Sequence, residues 1–430
     1  MSSERKIIHA ADIHLDSPLQ KLGSYENAPV ERIRGASRRA LENMVQFAID
    51  EAVDLVVIAG DLYDGDWPDQ NTGLFFVAQA SRLVDAGIPL AVIRGNHDAA
   101  NVMTSSLPLP KNPDGSSIML ASERVDQRLF ESIGIAVHGR SFRTRAETEN
   151  LAAEYPAPHR GLFNLGLLHT SLTGAEGHDP YAPCTPAQLA EKEYDYWALG
   201  HVHTRGEHGL DGAAPVVFSG NIQGRHIREV GPKGCLLLEV DSRNQCRRTF
   251  HELDVVRWQR CQLDVSDVQH CDEVIDRFQA WIEQSLRDAM DRLVVVRVEL
   301  CGATPLNHSL RRQQENLKAS LQAIAVAHGR GQVWMEDLKC HTEDEADTAV
   351  TADMDGPLES LAAVIEQFDA GEEAGKAVEH ELRSLLKKLP QELTGRNMPV
   401  QTGDPEWVAD LIQSASAEVL GRLQTEGTDT

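Results

Sequence analysis

Seven cysteines are scattered through the 430 residues, and no two of them stand in C-x-x-C spacing. Their odd number and their spacing argue against a disulfide framework or a structural zinc knuckle, and favour a reducing compartment. No segment approaches the roughly 20 consecutive apolar residues that span a bilayer. The opening Met-Ser-Ser-Glu-Arg-Lys is not followed by the apolar core of a signal peptide. The expectation is a cytoplasmic protein with no membrane partner. Net positive charge is lacking as well. With 41 Lys+Arg against 66 Asp+Glu the formal net charge is −25, which argues against a passive coat on nucleic acid. Internal repeats and low-complexity tracts are absent too, so neither a solenoid nor a disordered tail-like chain is expected.

What is present is an ordinary globular composition, 41% hydrophobic and 25% charged, on a chain too long for one average core. The acidic excess is uneven. Residues 341–430 hold 20 acidic against 6 basic residues, a net of −14, and the first 340 residues carry the remaining −11. Basic clusters stand out against this background at Arg32, Arg34, Arg38 and Arg39, at Arg140, Arg143 and Arg145, and at Arg225 and Arg228. They read either as a phosphate-tracking rim or as solvated faces.

Short apolar runs at 6–10, 54–59 and 90–94 alternate with helical periodicity over 32–52 and 71–86, which indicates βαβ units and a parallel sheet. Later strands at 133–138, 162–168, 196–200, 215–219, 234–240 and 249–253 are less interrupted by helices and predict a second sheet packed on the first. A change near 255 divides the chain into a first domain (1–254), a small α/β domain (255–340) and an acidic, helical C-terminal region (341–430). Trp67, Trp197, Trp258 and Trp281 read as packing residues rather than stacking platforms, and His9 reads as a core residue. The apolar positions Leu358, Leu361, Val364, Ile365 and Phe368 give the C-terminal region a face that fits partner docking.

The informative pattern is how the strands end. "RGNHDA" (94–99) places an amide, an imidazole and a carboxylate directly behind a buried strand. The other strands end alike: Asp12-x-His14 after the first, Gly60-Asp61-Leu-Tyr-Asp64 after the second, His169 after a later one, and Gly200-His201-Val-His203 after another. In open α/β sheets the ligand crevice lies outside the carboxyl ends of the strands. Asp12, His14, Asp61, Asn96, His169, His201 and His203 are thereby delivered toward one place. That donor set is too large for one tetrahedral zinc. It suits two cations about 3.5–4 Å apart sharing a carboxylate, and the imidazoles favour manganese, iron or zinc over calcium. Asp64 and Asp66 read either as carboxylates that support the ligands from behind or, in the plainer reading, as loop-capping carboxylates. The turn His138-Gly-Arg140-Ser-Phe142 reads equally as a cleft rim or as a turn with a packed Phe.

In this order, D-x-H, G-D-x-x-D, G-N-H-D, a lone His and G-H-x-H resemble the calcineurin-like metallophosphoesterases. "IHAADIHLDSPL" is similar to the SbcD-type DNA repair exonucleases, and "GNIQGRHIREVGPKG" (220–234) to their YhaO-type branch. The motifs span about 12–234, with a weaker likeness to about 340. The resemblance implies a four-layer α/β/β/α sandwich with a small α/β capping domain, followed here by the acidic helical tail, which carries no motif of the family. It implies that Asp12, His14, Asp61 and His203 hold one metal and that Asp61, Asn96, His169 and His201 hold the other, manganese being the expected ion. It further implies that His97 donates the proton to the leaving group and that Asp98 orients the His97 ring. Arg225, His226 and Arg140 are the candidate phosphate contacts. The expected activity is that of an exonuclease that also carries endonuclease activity, acting on DNA in repair with an SMC-like ATPase of the SbcC/YhaN type. A homodimer is a further expected partner arrangement. Two other readings stay open: a small-molecule phosphodiesterase or phosphoprotein phosphatase on the same core, and a scaffold without chemistry.

Overall fold

Runs of β-branched and aliphatic residues form the strands because each can be covered on both faces. In the computed structural model the described residues are 4–17, 29–65, 70–99, 107–172 and 181–343, with His380 and Ala415. The C-terminal docking face, Asp66 and Trp67 lie outside them. Strands β1 (Arg5–Ala10), β2 (Leu55–Ala59) and β3 (Leu90–Ile93) run parallel. β10 (Gly234–Val240) and β11 (Cys246–Glu252) add to β1 in antiparallel fashion, giving the order β11-β10-β1-β2-β3. The second sheet has β4 (Asp126–Phe130), β5 (Ile135–Gly139), β6 (Phe163–His169), β7 (Tyr196–Gly200), β8 (Gly206–Glu207) and β9 (Val216–Phe218), in the order β4-β5-β6-β7-β9-β8. Its central strands β5, β6, β7 and β9 are parallel and its edge strands antiparallel.

Alternation along β1 shows how the layers arise. Ile7 and Ala11 face a core shared with Leu165, Leu167 and Ala198 of the second sheet. Ile8 and Ala10 face the opposite way, onto Leu41, Met44, Phe76 and Leu83. These last residues belong to helices α2 (Ala36–Asp50) and α3 (Asn71–Asp85). On the far side of the second sheet, Leu168, Trp197, Leu199 and Phe218 pack with Leu151, Ala152 and Leu189 from a 3-10 turn and a short helix. The result is the α/β/β/α sandwich. The periodic stretch 32–52 is two helices, Val30–Arg34 and Ala36–Asp50, broken at Gly35, the residue type that least supports a helix interior after proline. The polar edge strand β4 has no counterpart among the strands expected from the sequence.

Contacts divide the chain into two compact units. One holds 1–261, 279–297 and 324–337, and the other holds 262–278, 298–323 and 338–430. Beyond 255 the strands Val256–Asp264, Leu293–Ala303 and Val333–Glu343 form a three-stranded sheet in that order. Helices Cys271–Ala289, Asn307–Arg312 and Gln314–His328 intervene in sequence. No helix among the described residues is long and apolar enough to cross a membrane.

His9 sits between the two main sheets, with Nδ1 3.1 Å from the Tyr196 hydroxyl and Nε2 3.2 Å from the Leu199 carbonyl oxygen. Burial pushes its pKa down from 6.5 to about 4. The unfolded chain therefore binds one more proton than the folded chain between those pH values, so stability is lost as pH falls through that window. The loss from this one group is about 3 kcal/mol. His9→Gln removes it, so urea unfolding at pH 7 and pH 4.5 should show a smaller drop for the variant than for the wild type. Equal drops would refute the assignment.

Candidate metal centre

The strands end where regular pairing stops, and the backbone continues the pairing in a strained form. The Asp12 N–H donates to the Gly60 carbonyl and the His14 N–H to the Asp61 carbonyl, each at 3.0 Å. Asp12, His14 and Asp61 hold left-handed φ values of 51°, 46° and 51°, and His201 lies at 104°. Such conformations cost of order 1–3 kcal/mol each for a side chain with a Cβ, and they persist where the surroundings over-determine them. Here they turn successive side chains from both strand ends toward one point. Two glycines make room. Gly60 has φ 93°, and a Cβ on Gly95 would lie 2.3 Å from Asp61 Oδ1.

The seven expected donors converge. His14 Nε2 lies 3.0 Å from His203 Nε2. The two ring nitrogens are close enough to share one cation. Asp12 forms a group with these two rings, and Asp61, His169 and His201 form another, each set with ligand atoms within 4.8 Å of one another. Asn96 Oδ1 stands between the second pair of rings, 2.9 Å from His169 Nε2 and 3.2 Å from His201 Nδ1. Asp61 Oδ2 lies 3.8 Å from His14 Nε2 and 3.4 Å from His169 Nε2, so one oxygen faces both groups. The donor set, imidazole rings with amide and carboxylate oxygens around them, fits divalent transition metals.

Outer hydrogen bonds set the tautomers, which is what a metal-binding imidazole needs. His169 Nδ1 is 2.9 Å from the Ala59 carbonyl oxygen, so it carries the proton there and turns Nε2 inward. His203 Nδ1 is 2.7 Å from Glu229 Oε1, with the same consequence. Phe142 packs edge-on against the His169 ring and Tyr181 against that of His201, both at 5.3 Å. Burial opposes the charge on Asp61, but the neighbouring His169 outweighs it and holds that carboxyl well below the usual range. Burial likewise opposes a charge on His169, and Asp61 raises its pKa to about 9. In the metal-free protein the pair thus holds a proton that a cation displaces.

His97 stands at the mouth, its side chain 41% exposed. Its partner is not the expected Asp98, because its ring Nδ1 lies 2.7 Å from Asp64 Oδ1 instead. Asp98 is buried and accepts backbone N–H groups from Leu62 (3.0 Å), Tyr63 (2.8 Å) and Gly95 (3.1 Å). Its carboxylate is spent on tying the loop after β2 to the loop after β3, and it does not orient the ring. The hydrogen bond to Asp64 is the largest influence on His97 and raises its pKa, which favours the protonated ring.

The other expected contacts divide. Arg225 reaches the centre: its NH2 group lies 3.0 Å from Glu229 Oε1 and 3.2 Å from His203 Nδ1. His226 lies at the rim, half exposed, with Nε2 3.6 Å from Glu229 Oε1. Arg140 is committed elsewhere, donating to the Ser122 carbonyl at 3.1 Å and to Glu154 at 2.6 Å. Glu229 is not among the residues that the sequence pattern singles out. The signal available for it is an acidic residue four positions after Arg225, inside the stretch that carries the YhaO-type resemblance.

The sequence matches agree with this geometry. Residues 5–205 match the calcineurin-like phosphoesterase family, and the chain belongs to these metallophosphoesterases, which bind divalent metals. Residues 258–343 match the middle domain of metallophosphoesterase YhaO. The chain is 32% identical over 354 residues to the metallophosphoesterase YhaO of Bacillus subtilis, covering 80% of this chain and 84% of that protein. It is 24% identical over 428 residues to the DNA double-strand break repair protein Mre11 of Methanopyrus kandleri, covering 93% and 87% of the two chains. It is also 24% identical over 298 residues to a subunit of the nuclease SbcCD from Staphylococcus epidermidis, covering 63% and 75%.

The hydrogen bonds around the centre give distinct expectations for three carboxylates. Asp98→Asn should destabilise the fold by about 1–3 kcal/mol in urea unfolding, since the amide nitrogen cannot accept the backbone N–H groups. Asp64→Asn should leave the unfolding midpoint nearly unchanged and reduce turnover of esters whose leaving group needs a proton. Glu229→Gln should weaken binding of Mn2+, used as a probe in titration calorimetry, by about 10–100-fold.

Proposed function

We propose that this protein is a metal-dependent DNA phosphodiesterase, an exonuclease with endonuclease activity that acts in DNA repair in the cytoplasm. The observation that supports the reading is that seven imidazole, carboxylate and amide side chains from five strand ends meet beside the ring of His97. Asp12, His14, Asp61 and His203 would hold one cation, and Asp61, Asn96, His169 and His201 the other, with manganese the preferred ion. Bound there, such cations supply Lewis acidity toward water and the phosphate oxygens.

The chain's own residues do the rest. Asp64 fixes Nδ1 of His97, which leaves the other ring nitrogen to hand a proton to the departing oxygen. A sugar oxygen is a poor leaving group, so an unactivated diester depends on that proton more than an aryl ester does. Asp98 keeps the loop bearing Asn96 and His97 folded by gathering the N–H groups of two loops. Support for DNA as substrate comes from the named functions of the Mre11 and SbcCD relatives, and the subunit status of the latter supports a partner. We assign that role to an SMC-like ATPase, with a second copy of the chain as a further partner.

The test is digestion of end-labelled single- and double-stranded DNA by the Mn2+-loaded protein, with and without the ATPase. His97→Ala should keep its metal and lose about 100–10,000-fold in turnover, whereas Asn96→Ala should lose metal affinity. Wild-type digestion rates for His97→Ala would remove the proton-donor role. Hydrolysis of a dinucleotide ester without any action on DNA would favour a small-molecule substrate.

A further inference from the structure

The sequence pattern offers Arg225 to a phosphate, but its guanidinium is already occupied by carboxylates from two sides. Toward Glu229 it presents NH2 at 3.0 Å and Nε at 3.3 Å from Oε1, while its backbone N–H donates to Oε2 at 2.7 Å. Toward Asp64 it presents NH1, 3.7 Å from Oδ2. Each carboxylate in turn holds a different imidazole: Glu229 holds Nδ1 of His203 at 2.7 Å, and Asp64 holds Nδ1 of His97 at 2.7 Å. One planar cation therefore joins a metal-ligand ring to the proton-donating ring, with alternating charges along the row.

The surroundings fix this row in place. Asn221 Nδ2 donates to Glu229 Oε2 at 2.9 Å, and the Ser17 hydroxyl donates to Asp64 Oδ2 at 2.5 Å. The turn that carries Arg225 is closed tightly, since a Cβ on Gly224 would lie 2.7 Å from the Glu229 carbonyl oxygen. Glu229 is only 6% exposed. Withdrawing the guanidinium toward an incoming phosphate would leave that carboxylate buried with its main cation gone, which is costly. The fork geometry of arginine suits two carboxylates on different edges, a task a point charge cannot perform.

We propose that Arg225 is a positioning residue that fixes the rings of His97 and His203 relative to each other through Asp64 and Glu229, rather than a phosphate anchor. It rests on the hydrolase reading above and assigns the residue its part in that reaction.

The test uses the full chain with Arg225→Gln and Arg225→Lys. Mn2+ binding to the metal-free protein is measured by calorimetry. Kinetics at saturating Mn2+ are run on bis(4-nitrophenyl) phosphate, whose leaving group needs no proton, and on a dinucleotide, whose leaving group does. Arg225→Gln should weaken Mn2+ binding about 10–100-fold. It should lower kcat on the dinucleotide about 100-fold, with KM changed less than about threefold, and lower kcat on the activated ester far less. Arg225→Lys should recover part of the Mn2+ affinity, because an ammonium can still face Glu229, but little of the dinucleotide turnover. If Arg225→Gln does not fold, the lysine variant alone decides by this split. A rise in KM on both esters with kcat and Mn2+ affinity unchanged would make Arg225 a phosphate anchor and overturn the proposal, as would wild-type behaviour in every measurement. Should the wild-type protein hydrolyse neither ester, the hydrolase reading fails on its own, and the Mn2+ titration still judges Arg225.

Discussion

The backbone hydrogen bonds that extend the pairing of the first two parallel strands, Asp12 to Gly60 and His14 to Asp61, hold up everything else in the site. Regular strand geometry sends neighbouring side chains to opposite faces. Asp12 and His14 stand two residues apart, which that alternation already places on one side, and left-handed φ at residues 12, 14 and 61 takes the chain out of strand geometry at the site. The strain is sustained because the strands are clamped on both faces. Ile7, Leu55, Val57 and Ala59 pack into the core between the sheets, while Ile8, Val56 and Ile58 pack beneath α2 and α3. Removing either layer would let the strand ends relax and the ligand cluster spread.

A second constraint is electrostatic. Asp12, Asp61, Asp98 and Glu229 are all buried within or beside one centre, and burial alone would protonate carboxylates. The protein answers this unevenly. Imidazoles beside Asp61, and His203 with a guanidinium beside Glu229, hold those two carboxyls well below the usual range, whereas Asp98 and Asp12, met by backbone N–H groups, stay raised by burial. The same pairs act as springs on the rings, since a bond that stabilises a carboxylate can also fix the tautomer of a histidine. Charge balance and metal-ligand orientation are therefore one design, and a substitution made for one disturbs the other.

The alternation of strands and helices is legible because buried parallel strands are short apolar runs with sharp polar ends. The residues that converge on the candidate centre are legible for the same reason, since several strands in order end in such polar groups. Strand β4 is not legible, since Asp126, Arg128 and their neighbours alternate in exposure on an edge and carry no apolar run. The single helix expected over 32–52 is two, because periodicity continues across Gly35 while the backbone does not. Arg140 has the turn-rich neighbourhood of a cleft residue, yet its donors go to Ser122 and Glu154. Adjacency misleads for the partner of His97. Asp98 is next to it in sequence, but its carboxylate is taken by the Leu62, Tyr63 and Gly95 N–H groups while the His97 ring meets Asp64.

Sequence by itself determined which residue types end the strands, and hence a donor set suited to divalent metals. Through the period of the apolar pattern it determined the βαβ units and a second sheet packed on them, while the four-layer sandwich was what the family resemblance implied. Tertiary structure alone decided which carboxylate serves which ring. Asp64 reaches His97 because the loops after β2 and β3 are brought together, and Glu229 reaches His203 across 26 residues of chain. These pairings depend on distances between loops, and a linear pattern of residues carries no information about where separate loops meet.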